Sequence, residues 1–326
     1  MKSALIAGIT GQDGAYLAQH LLRSGYRVCG LTSSARPLNR RNLEYLGILD
    51  RLIFRDVDLC SVENVRAAIQ AVEPDEIYGL AAQSLVWASW EMGPLTLRFN
   101  IDSVNALLEA AQSSGVPSRI FIALSSEVFG RPDILPITEA TPFHPSTPYG
   151  ISKATAYWLS RAYRERYGLF VATGFLFNHE SVLRPEIFLV KKIIRTALDI
   201  EAGTASELVL GNIDIRRDFG YAPEYVQAMQ AILSVSAADD YVIATGEPMS
   251  IRQIVEQVFL SLNLPMSHLR IDSRLLRLND VAESYGCPER AARILGWQPQ
   301  TKGASLVARL LNDHRHLRIG AGAKVA

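Results

Sequence analysis

The sequence contains few of the features that mark secreted, membrane-spanning or nucleic-acid-binding proteins. It has three cysteines in 326 residues, an odd and widely spaced set that argues against a disulfide framework, and we expect them to be reduced and buried: Cys29, Cys60 and Cys287. Its 33 basic and 33 acidic residues cancel, whereas a nucleic-acid binder usually has a basic excess. No apolar run reaches the roughly 18 residues that span a bilayer. The short apolar run after Met1 leads into a glycine turn, unlike a signal peptide.

The histidines also lack a pattern that would bind metal, since none of the six is spaced as metal ligands usually are. These absences leave a protein with an ordinary composition, 48% hydrophobic and 20% charged, and a chain long enough for a large core. We therefore expect a cytoplasmic protein with no metal, no nucleic-acid partner and no membrane partner.

A glycine-rich turn lies between the first apolar run and the first helical pattern. Residues 3–7 predict a strand, and apolar residues then recur at helical spacing up to Gly25. Gly8, Gly11 and Gly14 between them are spaced G-x-x-G-x-x-G, which lets the turn close and approach a pyrophosphate at a helix N-terminus. The alternative is a plain glycine-rich turn. The flanking pattern favours a dinucleotide site.

Strand-like runs alternate with helical patterns through the first half of the chain, at 27–31, 52–55, 76–80, 119–124 and 170–177. This alternation predicts an α/β fold, a Rossmann-like doubly wound parallel sheet. Polar clusters follow the runs at 52–55, 76–80 and 119–124. They lie at the carboxyl ends of the predicted strands, where open α/β sheets bind ligands.

The end of the second strand bears on the choice of cofactor. An acidic residue there usually binds a free ribose 2′-hydroxyl, but this chain has Thr32, Ser33 and Arg36 and no acid before Glu44. Hydroxyl and guanidinium groups suit a 2′-phosphate, so NADP is favoured over NAD. The alternative is that the arginines of this segment are solvated surface residues.

Tyr149 and Lys153 are four residues apart, so they fall on one face of a helix. An ammonium beside a phenol favours the phenolate, and we expect it to lower a pKa that is ordinarily about 10. Lowering it by about 3 units takes about 4 kcal/mol of differential stabilisation. The pattern is weak alone, because a Tyr and a Lys four apart occur by chance in many chains.

The second half of the chain is less regular and carries cations on its loops, which suggests a second anionic ligand such as a diphosphate. We predict an NADP-binding domain over 1–177, completed by a helix and strand within about 218–246. Residues 178–217 and 247–316 are predicted to form a smaller, mixed α/β substrate domain, and 317–326 a disordered tail.

With these motifs in place, the sequence resembles the extended short-chain dehydrogenase/reductase superfamily and, within it, the GDP-mannose 4,6-dehydratases. The resemblance covers nearly the whole chain. Its most specific segments are Gly-Gln-Asp-Gly at 11–14, Leu-Ala-Ala-Gln-Ser at 80–84 and Asn-His-Glu-Ser at 178–181.

The resemblance implies a redox-neutral lyase reaction with tightly held NADP. Tyr149, activated by Lys153, would remove the carbon-4 hydroxyl proton while hydride leaves carbon 4, and Ser125 would hydrogen-bond that oxygen. Glu127 would then take the proton of carbon 5 and help to expel the carbon-6 hydroxyl as water. Return of hydride to carbon 6 would leave a 4-keto-6-deoxy sugar. The alternative for Glu127 is an acid that stabilises a helix start.

The resemblance also implies that the substrate is GDP-mannose or a related nucleotide sugar and that the protein is a homodimer or homotetramer. It further implies which residues bind the cofactor and the substrate. The cofactor set, to which the glycine turn and strand ends contribute, is Gly8, Thr10, Gly11, Gln12, Asp13, Gly14, Thr32, Ser33, Arg36, Asp58, Leu59, Leu80, Ala81, Ala82, Tyr149 and Lys153. The substrate set is Ser84, Asn178, Glu180, Arg184, Lys192, Arg217, Arg277 and Asp280.

Three segments depart from the family pattern. Residues 34–37 read Ser-Ala-Arg-Pro where the family commonly has a paired-arginine, serine-rich loop that contacts NADP and a neighbouring subunit. Ser125 stands where the family usually has Thr, which keeps the hydroxyl but loses a methyl that stiffens the rotamer. Residues 277–280 read Arg-Leu-Asn-Asp in place of Arg-Pro-Ala-Glu, with a shorter acid near the nucleotide.

Three alternative functions remain at this stage. A GDP-4-keto-6-deoxymannose reductase shares the fold, Tyr and Lys, but tends to have Ile-Gly-Pro-Gly where this chain has Glu-Ser-Val-Leu at 180–183. A sugar 4-epimerase is the second. The third is a non-catalytic sensor or scaffold on the same fold. Such proteins tend to lose the Tyr or the Lys, and this chain has both.

Overall fold

The computed structural model describes residues 1–33, 39–276 and 281–322. Within them the strands are β1 (Ser3–Ala7), β2 (Arg27–Thr32), β3 (Ile53–Asp56), β4 (Glu76–Gly79), β5 (Arg119–Ser125), β6 (Val171–Leu176), β7 (Asn178–Glu180), β8 (Leu208–Leu210), β9 (Arg216–Tyr221), β10 (Asp240–Ile243), β11 (Pro248–Ser250), β12 (Leu269–Ile271) and β13 (Glu283–Ser284). The helices are α1 (Gln12–Arg23), α2 (Arg41–Tyr45), α3 (Val62–Val72), α4 (Ala88–Glu91), α5 (Gly93–Ser114), α6 (Pro148–Tyr167), α7 (Leu189–Glu201), α8 (Ala222–Ser234), α9 (Ile251–Ser261) and α10 (Gly303–Gly322).

Seven of these strands form a parallel sheet in the order β10-β6-β5-β4-β1-β2-β3. The order reverses beside β1, as in a doubly wound fold, which confirms the predicted α/β class. All six strand-like runs of the first half are strands of this sheet. The seventh, β10, comes from the second half of the chain and pairs with β6.

Helices cover both faces of the sheet, which is why its strands are apolar without alternation. In β1, Ala4 and Ile6 pack into the core under α1 and α8, whereas Leu5 and Ala7 pack into the core under α3, α5 and α6. All five residues of β1 are buried. This burial fixes the position of the glycine turn that follows β1.

A smaller unit of sheet and helix carries the remaining strands. β9 pairs with β7 and β13 in parallel and with β11 antiparallel, and β8 pairs with β12. A separate core lies between α7, α9 and α10, with Ile193, Val258 and Leu310 among its buried side chains. Asp218 of β9 is fully buried and accepts hydrogen bonds from the backbone N–H groups of Thr245, Gly246 and Gly286 at 2.8–3.3 Å.

Two expectations from the sequence are wrong in detail. All three cysteines are free, as predicted, but only Cys29 is buried, while Cys60 is exposed and Cys287 is half-buried. Helix α10 continues to Gly322, although the sequence predicted a disordered tail from residue 317. Extending a helix that is already packed through Leu310 requires no new nucleation, which explains the longer helix. Residues 323–326 lie outside the described residues.

Other predicted features fall on the parts of the chain that the structure does not describe: Arg36 with the rest of 34–37, and Arg277 and Asp280. In the part that is described, no group of three His, Cys, Asp or Glu side chains could hold a metal ion. No helix there is long and apolar enough to cross a membrane.

Candidate active site

The parallel strands end at one edge of the central sheet, and predicted site residues lie along that edge. Thr32 ends β2 and Ser125 ends β5, while Asp58 and Leu80 follow β3 and β4 within two residues. Other predicted cofactor residues follow the same strand ends or the end of β1: Thr10, Ser33, Leu59, Ala81 and Ala82. Asp58 is exposed, and its Oδ1 accepts a hydrogen bond from the backbone N–H of Cys60 at 3.0 Å. An edge of this kind is where open α/β sheets bind nucleotides.

The glycine turn has no room for side chains. Gly8 has φ +89°, and a Cβ there would lie 2.8 Å from the backbone nitrogen of Ala81. A Cβ on Gly14 would overlap the carbonyl oxygen of Gly8. Gly11 is the N-cap of α1 and offers no capping side chain, so the first-turn N–H groups can bind an anion. This cradle fits the pyrophosphate of a dinucleotide cofactor.

Tyr149 and Lys153 lie in the first turns of α6, as their spacing predicted. Thr147 caps this helix, accepting a hydrogen bond from Gly150 N–H at 2.9 Å, and Pro148 occupies its first turn. Both side chains are buried, and Lys153 Nζ lies 5.9 Å from the centre of the Tyr149 ring. The ammonium donates a hydrogen bond to the carbonyl oxygen of Ala123 at 2.8 Å.

Ser125 and Glu127 lie directly beside the tyrosine. The Ser125 hydroxyl accepts a hydrogen bond from Glu127 N–H at 3.3 Å and starts the short 3₁₀ turn Ser126–Val128. The start of α6 is pressed against this turn, because a Cβ on Gly150 would lie 2.6 Å from the carbonyl oxygen of Glu127. The structure therefore brings together three of the four predicted catalytic side chains at the end of β5, with Lys153 behind them.

The ionisation of this cluster differs from the expectation. Burial raises the pKa of Tyr149 to about 12, helped by the charge of Glu127, while hydrogen bonding with Ser125 acts in the opposite direction. Burial lowers the pKa of Lys153 to about 8 against the attraction of Asp13. The predicted lowering of the phenol pKa is thus wrong for the protein alone. The physical reason is that loss of solvation outweighs an ammonium whose hydrogen bond goes to Ala123.

Gln12 and Asp13, predicted from the resemblance as cofactor residues, turn their side chains towards the segment after β6. Asp13 Oδ2 lies 3.0 Å from His179 Nε2. The Gln12 amide donates to Asp13 Oδ1 at 3.0 Å and to the carbonyl oxygen of His179 at 3.2 Å. The Ser181 hydroxyl donates to Gln12 Oε1 at 2.8 Å. Two of the three most specific segments, 11–14 and 178–181, are therefore in contact.

Glu180 and Arg184 form a second charged pair next to this network. Glu180 Oε1 lies 3.8 Å from Arg184 Nε, and the guanidinium stacks 3.7 Å from the centre of the Phe188 ring. Glu180 is 4% exposed, and burial raises its pKa against the attraction of Arg184. Glu180 Oε2 and Arg184 Nε are buried without a hydrogen-bond partner. Such atoms are what a polar ligand would satisfy. Arg184 also acts electrostatically on Tyr149, which places the pair near the phenol.

The other predicted substrate residues lie elsewhere on these elements. Ser84 is exposed after β4, and Asn178 is half-buried at the start of β7. Lys192 is exposed on α7 and donates to the carbonyl oxygen of Val209 at 2.8 Å. Arg217 lies on β9, where its Nη1 donates to the carbonyl oxygen of the preceding residue at 2.9 Å.

Two buried polar residues that hydrogen-bond to segments of the site, Asn100 and Lys191, were not predicted from the sequence. Asn100 is buried on α5, where its amide accepts from Gln83 N–H at 2.8 Å and donates to Gln83 O at 3.1 Å and Ser152 Oγ at 3.0 Å. Ser152 in turn donates to the carbonyl oxygen of Tyr149 at 2.7 Å. Asn100 therefore joins the loop after β4 to the tyrosine helix. The sequence feature that could have indicated this role is a polar residue, Asn100, among the apolar residues of the buried face of α5.

Lys191 is the second. It is 9% exposed, unlike its neighbour Lys192, and its ammonium donates to the carbonyl oxygen of Val182 at 2.6 Å. Burial lowers its pKa, and the charge of Arg41 adds to that effect while Glu180 opposes it. The helical phase of α7, which a run of two lysines does not reveal, decides which of them faces inward.

Comparison with known proteins agrees with this geometry. A family model described as GDP-mannose 4,6 dehydratase matches residues 5–310. GDP-mannose 4,6 dehydratase 2 of Arabidopsis thaliana is 38% identical over 327 residues, which cover 97% of this chain and 87% of the relative. The GDP-mannose 4,6 dehydratase of Homo sapiens is 35% identical over 337 residues, covering 95% and 90% of the two chains.

Solved structures share the fold over almost their full length. A dTDP-glucose 4,6-dehydratase, DesIV from Streptomyces venezuelae with NAD and TYD bound, has a TM-score of 0.87 at 25% identity, with 97% of this chain and 98% of that one covered. A UDP-glucose 4-epimerase of Thermotoga maritima has a TM-score of 0.86 at 19% identity, over 97% and 99% of the chains. The latter likeness concerns the fold alone. Site, family model and relatives agree that the chain belongs to the GDP-mannose 4,6-dehydratase family.

Proposed function

We propose that this protein converts GDP-mannose to its 4-keto-6-deoxy derivative, with oxidation at carbon 4, loss of water across carbons 5 and 6, and reduction at carbon 6. The observation that carries the proposal is the position of Glu127, whose carboxylate acts on the Tyr149 phenol from the neighbouring turn. A simple dehydrogenase needs one acid–base group, whereas a dehydratase needs a second one for the elimination.

Tyr149 and Ser125 serve the redox half of the reaction. Ser125 orients the carbon-4 hydroxyl, and the phenolate oxygen of Tyr149 accepts its proton. A nicotinamide cofactor held by the glycine turn at residues 8–14 would supply the hydride acceptor for carbon 4 and the hydride donor for carbon 6, and carbon 5 would regain one proton in balance with the one that Tyr149 releases. The pKa of Tyr149, about 12 in the protein alone, has to fall for this step, and a positive charge next to the phenol has that effect.

Glu127 serves the elimination half. Its carboxylate accepts the proton of carbon 5, which the new 4-ketone has made acidic. The protonated acid then gives a proton to the departing carbon-6 hydroxyl, which leaves as water. One half-buried carboxyl group suits both transfers, since it first accepts a proton and later donates one.

Glu180 and Arg184 are our proposed contacts to the sugar end of the substrate. Their unpartnered buried atoms, Oε2 and Nε, offer an acceptor and a donor next to the tyrosine. A sugar presents hydroxyl groups that both accept and donate, so it satisfies the two atoms together. Ser84 remains our third predicted contact to the sugar end, and Asn178, Lys192, Arg217, Arg277 and Asp280 remain our predicted contacts to the diphosphate and guanosine.

NADP is our proposed cofactor in preference to NAD. The support is chemical: Thr32 and Ser33 bring hydroxyl groups to the end of β2, and the sequence has no acid between Thr32 and Leu43 to bind a 2′-hydroxyl.

We also propose that the chain works as a homo-oligomer in the cytoplasm. Large apolar side chains that a second copy would cover are exposed on three helices in mutual contact, α4, α5 and α6: Trp90, Leu95, Ile151 and Trp158. The three free cysteines suit a reducing compartment. Sedimentation velocity of wild-type protein and the Trp158→Glu variant tests the first point, because a charge on this face should shift the protein to a monomer.

Incubation with GDP-, dTDP-, UDP- and CDP-sugars, with products identified by mass spectrometry, tests the function. We expect GDP-mannose to lose one water molecule when NADP is supplied and no reductant is present. Turnover only of a 4-keto-6-deoxy sugar with reduced cofactor would instead identify a reductase. Interconversion of two sugars without loss of water would identify an epimerase.

A further inference from the structure

A contact between the half-buried Asp13 and the buried His179 joins the cofactor cradle to the segment after β6. Asp13, in the first turn of α1, places Oδ2 3.0 Å from Nε2 of His179 in β7. The two side chains are 23% and 8% exposed. The His179 ring stacks on Tyr225, with ring centres 4.6 Å apart, so its orientation is fixed from the side.

The neighbouring atoms decide the protonation of His179. Nδ1 lies 2.7 Å from the carbonyl oxygen of Phe177, which can only accept a hydrogen bond, so Nδ1 carries a proton. Nε2 faces the carboxylate of Asp13, which also accepts. Burial alone would raise the pKa of Asp13, but the charge of His179 and its hydrogen bond bring it to about 2. An acceptor at each ring nitrogen requires two N–H donors, so these contacts fit an imidazolium beside a carboxylate.

The location of Asp13 gives this pair a consequence for binding. The N-terminus of α1 attracts the pyrophosphate of a dinucleotide, and a carboxylate in the same turn would repel it. We propose that His179 is a positioning residue that neutralises Asp13, so that the start of α1 accepts an anionic cofactor. The inference rests on the proposed cofactor but not on the identity of the sugar.

A purely structural clamp would behave differently from a charge pair. Gln12 already ties α1 to this segment, since its amide donates to the carbonyl oxygen of His179 and accepts from Ser181. If His179 only added another hydrogen bond, removing it would weaken binding whatever residue stands at position 13. If it neutralises a charge, the loss disappears once Asp13 is also neutral.

Calorimetric titration of NADP and of NAD into four variants separates these cases. We expect His179→Gln to weaken the affinity for the tighter cofactor by about tenfold, because the Asp13 carboxylate then loses its hydrogen-bonded cation and keeps the weaker attraction of Arg184. Asp13→Asn and the double variant should bind within about threefold of each other, since replacing His179 uncovers no charge once position 13 is neutral. The double variant should recover the affinity lost in His179→Gln. His20→Gln, at the far end of α1, is the matched control.

Affinity within threefold of wild type in His179→Gln, or a double variant as weak as His179→Gln, would overturn the proposal. If His179→Gln does not fold, the comparison of Asp13→Asn with the double variant decides, because a tenfold weaker affinity in the double variant is incompatible with charge neutralisation. Binding is measured without any sugar, so failure of GDP-mannose as a substrate leaves this test intact.

Discussion

The ammonium of Lys153 lies 5.9 Å from the centre of the Tyr149 ring but gives its hydrogen bond to the carbonyl oxygen of Ala123, 2.8 Å away. Both groups are buried, and burial acts against the charged form of each, the phenolate and the ammonium. In the protein alone, both pKa shifts therefore favour the neutral phenol and the neutral amine. A bound cofactor would change both pKa values, because its anionic groups favour the ammonium of Lys153 and its cationic nicotinamide ring favours the phenolate of Tyr149.

The buried lysine gives the stability of the ligand-free protein a defined pH dependence. Its pKa falls from 10.5 to about 8 on folding, so the unfolded chain binds more protons between those values and the free energy of unfolding rises with pH there. We expect wild type to gain about 3 kcal/mol relative to Lys153→Met across that interval. Urea unfolding at about six pH values between 7.5 and 10.5 gives the free energy of unfolding of each protein and so measures the difference. Lys192→Met, which removes an exposed lysine, is the control, and parallel curves for wild type and Lys153→Met would refute the prediction.

Asn100→Ala should destabilise the protein by about 3 kcal/mol, because the backbone groups of Gln83 and the hydroxyl of Ser152 lose their buried partner. Cofactor affinity should fall as well, since Gln83 belongs to the loop that contacts the glycine turn through Ala81. Denaturant unfolding and calorimetry measure the two effects. Asn105→Ala, on the less buried side of the same helix, should change neither. An Asn100→Ala protein as stable as the Asn105→Ala control would contradict the assigned role.

Glu127→Gln should stop the reaction after oxidation. The amide keeps the shape of the side chain but cannot accept the proton of carbon 5, and we expect turnover to fall by about 10² to 10⁴. Reduced cofactor should accumulate in a single turnover, as its absorbance would show. Tyr149→Phe provides the contrast, because it should form no reduced cofactor. Turnover close to wild type in Glu127→Gln would remove the carboxylate from the mechanism.

Cofactor choice provides a further test. Calorimetry should give NADP an affinity at least about tenfold higher than NAD, because the chain has hydroxyl groups at Thr32 and Ser33 and no acid from there to Leu43. Ser33→Asp should reverse the order, since a carboxylate repels the 2′-phosphate and binds the 2′-hydroxyl. Tighter binding of NAD to the wild type would show that Thr32 and Ser33 do not select the phosphate.

The sequence predicted those features that follow from periodicity and local spacing. Six strands of the central sheet, the glycine turn and the helical position of Tyr149 and Lys153 all depend on residues close together in the chain. The proximity of Ser125 to the tyrosine follows from the parallel sheet, because strands that run the same way end at the same edge.

Features that depend on contacts distant in sequence could not be predicted in this way. The Asp13–His179 pair joins residues 166 positions apart, and its charge state depends on the carbonyl oxygen of Phe177. The pKa of Tyr149 depends on how completely the fold removes water, which spacing does not reveal. The inward orientation of Lys191 rather than Lys192 depends on the packing of α7.

The most direct test of the proposed reaction is to follow deuterium from carbon 4 of labelled GDP-mannose. The redox half of the mechanism removes hydride from carbon 4 and returns it to carbon 6 within one active site. We therefore predict a 4-keto-6-deoxy product with the deuterium in its carbon-6 methyl group, observed by mass spectrometry and NMR, without added reductant. A product that has lost the deuterium to free cofactor or solvent, or no product at all, would contradict the account.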